Sequence, residues 1–297
     1  MSSLAPQLGT ASCGCRWCNE HENAREKCRQ VMTPLVRQAL TEVGTRPDVG
    51  NLAEQCFVSP AHFRRLIAQV FDVGYTATVW RYRVFSAYYS LLFGGSSFRD
   101  AARTYGFRGP RDLMCRAQRA LNLPRVWLEH PATGANSACS GYLTKRERAN
   151  WVVTSHFEPL ADMTETAWYT AHLPERLLFH DLVCFIYDNP TNNESIRFDI
   201  ATALAKCAFP DSSLLGVLVT PPEKGVSIIH RGPIEFTDMA YREIAIIGAY
   251  MGVLRIGSPP NLPLRVEFVN ESQRNPRAFL PIELIHDDRG ASEKRYE

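Results

Sequence analysis

The sequence predicts two domains of different class, an all-α domain followed by an α+β domain. Three observations support this prediction. The charge divides along the chain, since residues 28–130 hold 14 Arg, no Lys and 7 acidic residues, whereas residues 151–297 hold 13 basic and 20 acidic residues. Apolar residues recur at helical spacing in the first part and in short strand-like runs in the second. Between the two parts, residues 131–141 have the small and polar composition of an exposed linker.

The overall composition is that of an ordinary soluble globular protein. The chain has 297 residues, a formal net charge of +2 and 45% hydrophobic residues. It lacks the run of about 18 uncharged apolar residues that a membrane span needs, and its start lacks the order of a signal peptide. We therefore expect a cytoplasmic, nucleoid-associated bacterial protein with no membrane partner. We expect two domains with separate cores, divided as extension 1–27, helical domain 28–131, linker 132–150, α+β domain 151–290 and tail 291–297.

The basic part contains an internal repeat of two helix-turn-helix units joined by one long helix. In residues 51–71, Ser59 and Pro60 are typical of a helix start. One face of the following helix is apolar, and the opposite face carries Ala61, Arg64, Arg65 and Ala68. In residues 101–121 the second copy has Leu113, Ala117 and Leu121 on its apolar face and Arg111, Cys115 and Arg119 on its outer stripe.

Such a unit places its second helix in the major groove of DNA, where arginine can pair with guanine. The alternative is that these arginines form only a solvated face. The repeat, the turn residues and the net +7 of residues 28–130 together favour DNA binding.

The acidic part alternates between β-rich runs and helical stretches. Strands are predicted in residues 181–188, 195–204, 225–232 and 264–270, and helices around Met163–His172 and Phe236–Gly252.

Motifs in the basic part resemble AraC/XylS-type transcription regulators. The linker-helix signature matches RVFSAYYSLL (83–92), and the flanking matches are SPAHFRRLI (59–67), RDAARTYGFRGPRDL (99–113) and LPRVW (123–127). The resemblance implies double-stranded operator DNA and RNA polymerase as partners, and a monomer on DNA. It implies base-reading positions at Ala61, Arg64 and Arg65 in the first unit and at Pro110, Arg111 and Cys115 in the second.

This sequence departs from the family pattern at three places. Phe57 stands in the first turn where the family usually has Gly, Cys115 stands where Arg is common, and Ala117 replaces a core Phe. These departures favour a second unit that mainly holds DNA phosphates, through Arg108, Arg111, Arg116 and Arg119.

The acidic part resembles gyrase-inhibitor-like effector domains in the segments 226–244, 262–270 and 278–286. The resemblance implies a duplicated β-α-β-β unit enclosing a cleft for small amphipathic molecules, often cationic or aromatic. Glu283, in the apolar strand PIELI, is the predicted acid, with an outward-facing strand residue as the alternative. The predicted aromatic walls are Trp151, Trp168, Tyr169, Tyr187 and Tyr241, each of which could instead belong to the core.

The sequence therefore predicts a ligand-modulated DNA-binding regulator that is not an enzyme and needs no cofactor. Two alternatives remain for the C-terminal domain. It could hydrolyse electrophilic molecules with Glu283 and either Tyr187 or Tyr241, or it could be a protein-contact module without a ligand. A dense group near the start, Cys13, Cys15, Cys18 and His21, could bind a soft metal or respond to oxidation. We expect an unstructured extension there instead of a metal site.

Overall fold

The computed structural model describes residues 48–71, 73–131, 143–159, 182–191, 195–203, 216–220, 222–229, 236–257, 264–267 and 277–281. Within these ranges there are seven helices: α1 (Val49–Gln55), α2 (Pro60–Phe71), α3 (Tyr75–Phe93), α4 (Phe98–Thr104), α5 (Pro110–Leu121), α6 (Arg125–Glu129) and α7 (Thr237–Tyr250). The strands are β1 (Leu143–Arg146), β2 (Ala149–Pro159), β3 (Leu182–Ile186), β4 (Ser195–Ala203), β5 (Gly216–Thr220), β6 (Glu223–Ile229), β7 (Leu264–Glu267) and β8 (Arg277–Pro281). The described part of the chain combines helices with an antiparallel sheet, so the coarser prediction of a mixed α and β protein is confirmed. The predicted helix around Met163–His172 lies outside the described residues.

A side-chain cap marks the start of three helices, α1, α2 and α4. The Asp48 carboxylate accepts a hydrogen bond from the Gly50 amide at 2.9 Å, which starts α1. The predicted cap at Ser59 is confirmed, since its hydroxyl accepts from the His62 amide at 3.2 Å. Ser97 starts α4 in the same way, by accepting from the Asp100 amide at 3.1 Å. Each cap satisfies an amide that the helix itself leaves unpaired.

The turns after α1 and after α4 have the same backbone conformation. Phe57 has φ of 56° and Gly106 has φ of 73°, and both lie in the left-handed region. In both turns the following amide bonds back into the helix, from Val58 to Ala53 at 3.0 Å and from Phe107 to Ala102 at 2.9 Å. Phenylalanine in this conformation costs about 1–2 kcal/mol relative to a right-handed one, and the Phe57 ring is 93% exposed. Phe57 thus occupies a position where the backbone conformation favours glycine.

The eight strands form one antiparallel sheet in the order β1-β6-β8-β7-β3-β4-β2-β5. Strands β6, β7 and β8 pair in the order β6-β8-β7, and β2, β3 and β4 pair in the corresponding order β2-β4-β3. Strands β7 and β3 join the two groups. Residues 143–150, which the sequence places in the linker, include β1 and the start of β2 instead. Strand β1 is an edge strand paired with β6, a position where its charged residues remain compatible with pairing.

One hydrophobic core extends through both parts of the chain. It includes Phe85 and Tyr88 on α3, Ile244 on α7, and Phe198 and Ile200 on β4. Helix α3 contacts α2, α4, α5 and α7, and most of its side chains are buried because neighbours surround it on several sides. Within the described part of the chain, the helical part and one face of the sheet therefore share a core. Where α3 packs against α7, apolar surface is removed from water, and neither half of the chain would cover that surface by itself.

Candidate DNA interface and effector site

Helix α2 presents a small and basic outer face. Ala61, Arg64, Arg65 and Ala68 are exposed, whereas Phe63, Leu66 and Ile67 on the other side are buried in the core. Arg64 and Arg65 make no ion pair with another described residue. Two guanidinium groups one residue apart, beside two alanines, leave room for close approach to a groove lined by hydrogen-bond acceptors.

Helix α5 has the corresponding arrangement. Arg111, Cys115 and Arg119 are exposed, as are Arg108 and Pro110 at its start. Leu113, Met114, Ala117 and Leu121 are buried on the opposite side. Asp112 stabilises the segment that leads into this helix, because its carboxylate accepts a hydrogen bond from the Arg108 amide at 3.2 Å.

Arg116 differs from the other predicted phosphate-binding arginines. Its Nε donates to Asp112 at 3.0 Å, and its guanidinium stacks on the Trp80 ring at 3.6 Å from the centroid. Only 35% of its side chain is exposed. The guanidinium therefore bridges α5 and α3, a role that helical periodicity by itself did not reveal.

A buried carboxylate lies on the face of the sheet opposite the α7 side. Asp199 on β4 is buried and accepts a hydrogen bond from the Tyr187 hydroxyl at 2.6 Å. Burial and this hydrogen bond raise the pKa of Tyr187, so that its phenol is neutral at physiological pH. Sequence reasoning missed Asp199. The signal was present, because Asp199 stands inside the apolar run SIRFDIATA as Glu283 stands in PIELI.

Strand register places an aromatic ring and a cation beside this carboxylate. Phe185 is the direct partner of Asp199 on β4 and of Arg265 on β7. The Arg265 guanidinium lies 5.3 Å from the centre of the Phe185 ring. Val153, Val183, Phe185 and Ala201 form a second apolar cluster on this face, with Tyr187 packed against it. The face thus combines an acid with an apolar and aromatic surface, which the predicted effector site requires, and it also carries one cation, Arg265.

Of the other predicted ligand residues, Tyr241 lies away from this face, whereas the strand register puts Trp151 on the same face as Val153. Tyr241 is fully buried in the shared core, with its ring centre 6.3 Å from that of Tyr89 on α3, and does not line this face. Trp151 lies in β2, opposite Ala203 and Leu218 in the strand register. The remaining predicted residues, Trp168, Tyr169, Glu283, Cys13, Cys15, Cys18 and His21, lie outside the described residues.

Polar contacts link α3 to α7 within the shared core. Asp238 accepts hydrogen bonds from the Tyr82 hydroxyl at 3.0 Å and from Arg242 Nη1 at 2.6 Å. Burial by itself lowers the pKa of Arg242, but Asp238 and Tyr82 offset this effect and raise it. A second ion pair, Arg81 with Glu243, joins the same two helices at 2.6 Å. The helix that connects the two arginine-bearing units is therefore held directly by the α+β part.

Two further properties bear on function. Among the described residues, no group of three or more His, Cys, Asp or Glu side chains is placed to hold a metal ion. In the same part of the chain, none of the helices has both the length and the apolar character needed to cross a membrane.

Comparisons with known proteins reveal only distant structural likenesses. No family model and no curated protein matches this chain. A cryo-EM structure of an EcmrR–DNA complex covers 80% of this chain and 99% of its own, at 12% identity and a TM-score of 0.36. The structure of SAV2435 bound to tetraphenylphosphonium matches 48% of this chain and 92% of its own chain, at 8% identity and a TM-score of 0.32. The structure of a hydrolase encoded by lin2189 from Listeria innocua matches 53% of this chain and 98% of its own chain, at 12% identity and a TM-score of 0.31. At these TM-scores the likenesses do not assign the chain to a family.

Proposed function

We propose that this protein is a sequence-specific DNA-binding transcription regulator of AraC/XylS type, modulated by a small amphipathic ligand. One observation carries the DNA-binding part. The chain contains two matching pairs, α1 with α2 and α4 with α5, each with a left-handed residue at the same place in its turn. In each pair the second helix buries one face and exposes arginines on the other. Two such reading helices on one chain can occupy successive segments of a major groove without a dimer.

In this proposal the two helices have different tasks. Ala61, Arg64 and Arg65 on α2 read base edges, with the arginines pairing to guanine O6 and N7. On α5, Pro110, Arg111 and Cys115 face the bases, while Arg108, Arg111 and Arg119 hold phosphates. Arg116 supports α5 from behind through Asp112 and Trp80. RNA polymerase is the proposed protein partner at the promoter, in the cytoplasm.

Single arginine variants test this division. On an operator selected from a randomised DNA pool, Arg65→Ala should weaken binding by about 5- to 150-fold and leave binding to random DNA nearly unaffected, since a base contact contributes about 1–3 kcal/mol. Arg108→Ala should weaken binding to operator and random DNA alike and reduce the salt slope by about one. Fluorescence anisotropy titrations over a range of salt concentrations measure both effects.

Arg103→Ala is the matched control, because Arg103 is exposed, pairs with Asp100 within α4 and belongs to neither reading helix. It should bind both DNAs like the unchanged protein. Failure of the unchanged protein to enrich any sequence from the pool would refute the proposal. Equal losses on operator and random DNA for Arg65→Ala would refute the base-reading role of α2.

For the effector, we propose that the sheet face with Asp199 binds a lipophilic cation. A carboxylate removed from water gains most from a cationic partner, and Phe185 and Val183 supply apolar contact. Binding is favoured over hydrolysis because the Tyr187 hydroxyl already donates to Asp199 and its raised pKa makes it a poor base at neutral pH. We therefore propose a binding domain and not an enzyme.

Calorimetric titration with tetraphenylphosphonium, a hydrophobic monovalent cation, tests the effector site. Asp199→Asn should weaken its binding by about tenfold, since the substitution removes the Coulombic attraction between the cation and a carboxylate that is shielded from water. Asp188→Asn is the control, because Asp188 is close in sequence but engages the exposed Arg197. Unchanged affinity in Asp199→Asn, or an equal loss in both variants, would contradict the site. Turnover of an electrophilic ester that is lost in Asp199→Asn would favour the hydrolase instead.

A further inference from the structure

A separate cleft of about 920 Å³ lies between the helical part and the sheet. Helices α3 and α5, the end of β6 and Glu243 of α7 contribute to its walls. Its volume is within the range of about 300–1,000 Å³ that small-molecule sites occupy. Neither Asp199 nor Tyr187 is among its lining residues, so the cleft is distinct from the proposed effector face.

The charge of this cleft is positive. Its described lining residues include three arginines, Arg81, Arg116 and Arg119, and one acid, Glu243, which pairs with Arg81 at 2.6 Å. Asp112 partly neutralises Arg116 from outside the cleft. The carboxyl end of α5 adds roughly half a negative charge. After the contributions of Asp112 and the helix end are subtracted, the net charge of the described lining residues is still positive, because Arg119 is exposed and makes no ion pair with any described residue.

The remaining walls are mostly apolar. Val73, Val84 and Ile229 line the cleft, and Ile229 is 58% exposed, which is unusual for so large an apolar side chain. Residues 227–229 of β6 extend beyond its pairing with β1, which involves residues 223–226. A cleft with one available guanidinium and an apolar wall suits a ligand with one anionic group and one apolar group.

We propose that this cleft binds a small amphipathic organic anion. The anionic group lies against Arg119, and the apolar part covers Ile229 and the partly exposed Val73. A ligand in this position contacts the second reading helix α5, the connecting helix α3 and the sheet at the same time. The site is opposite in charge preference to the proposed effector face. Arg119 is also one of the proposed phosphate-binding residues, so ligand and DNA would compete for this side chain, but the evidence for the cleft does not rest on the DNA-binding proposal.

A matched pair of probes tests the proposal on the full chain. Calorimetric titration with 4-phenylbutyrate should show saturable 1:1 binding. The cation 4-phenylbutylammonium has the same apolar group and the opposite charge, and any binding it shows should be unchanged in Arg119→Gln. Arg119→Gln should weaken phenylbutyrate binding by about tenfold, as expected for a lost charge-assisted hydrogen bond. Ile229→Asp, at an exposed position that tolerates a polar side chain, should weaken it at least as much by placing a carboxylate in the cleft.

Arg103→Gln, on an exposed part of α4, is the control and should bind phenylbutyrate like the unchanged protein. The proposal is overturned if phenylbutyrate shows no saturable binding, if its affinity is unchanged in both Arg119→Gln and Ile229→Asp, or if Arg103→Gln causes the same loss. Each of these outcomes leaves the operator titrations unaffected, so failure of this site is distinguishable from failure of the proposed function.

Discussion

Replacing Asp238 with alanine is expected to lower the free energy of unfolding by about 3 kcal/mol. The substitution removes the acceptor for both Tyr82 and Arg242 at the contact between α3 and α7. Removing one partner of a buried ion pair usually costs about 3–5 kcal/mol, because the other charge remains out of water. We take the lower end of that range since the Arg242 side chain keeps 13% of its exposure. Urea denaturation followed by circular dichroism measures the loss.

Two further variants identify the cause of this loss. Asp100→Ala removes an exposed carboxylate that pairs with Arg103, and it should cost no more than about 1 kcal/mol. The double variant Asp238→Leu with Arg242→Met replaces the ion pair by apolar groups, and it should recover much of the stability. A loss below 1 kcal/mol for Asp238→Ala would show that this pair does not hold the two helices together.

Truncating Tyr241 to alanine is expected to destabilise the protein by about 3–5 kcal/mol, the range found for large aromatic residues in cores. Tyr241 is among the largest side chains that are fully buried, and its ring packs near Tyr89 of the connecting helix. Because the core is continuous, the helical part and the sheet should lose stability together. Thermal unfolding monitored by helical signal and by operator binding should therefore show the same lowered midpoint.

Tyr241→Phe keeps the ring and should cost only about 1 kcal/mol. A wall of a ligand site would behave differently, since its truncation would weaken ligand binding with little effect on stability. If Tyr241→Ala retained the original unfolding midpoint and lost affinity for tetraphenylphosphonium, our placement of Tyr241 in the shared core would be wrong. Separate transitions for the two parts in the unchanged protein would contradict the continuous core.

Local sequence signals predicted many of the elements. The helical spacing of apolar residues in the basic part predicted one long helix between the two units, which is α3, and Ser59 followed by Pro60 predicted the start of α2. The short β-rich runs correspond to β3, β4, β6 and β7, with boundaries shifted by a few residues. These features depend on periodicity and capping, which act over a few residues and are therefore readable without neighbours.

Other features arise only from contacts between distant segments. Arg116 and Arg119 look equivalent on a helical projection of α5, but Trp80 and Asp112 engage the first and leave the second exposed. Asp199 and Glu283 stand in similar apolar runs, and only the partner Tyr187 distinguishes Asp199 as a buried acid with a defined contact. Strand β1 formed within the expected linker because β6 offers it a pairing edge.

The sequence by itself determined that the chain mixes helices with strands, that its two parts carry opposite charges, and that arginines occupy the outer faces of α2 and α5. Each of these follows from composition or from spacing along one element. Only the tertiary structure decided that α3 and α7 share one core, that Tyr241 lies within it, and that a positive cleft opens beside α5. The physical reason is that burial and charge pairing depend on which surfaces meet, and segments more than 150 residues apart along the chain, such as Tyr82 and Asp238, carry no local sign of their contact.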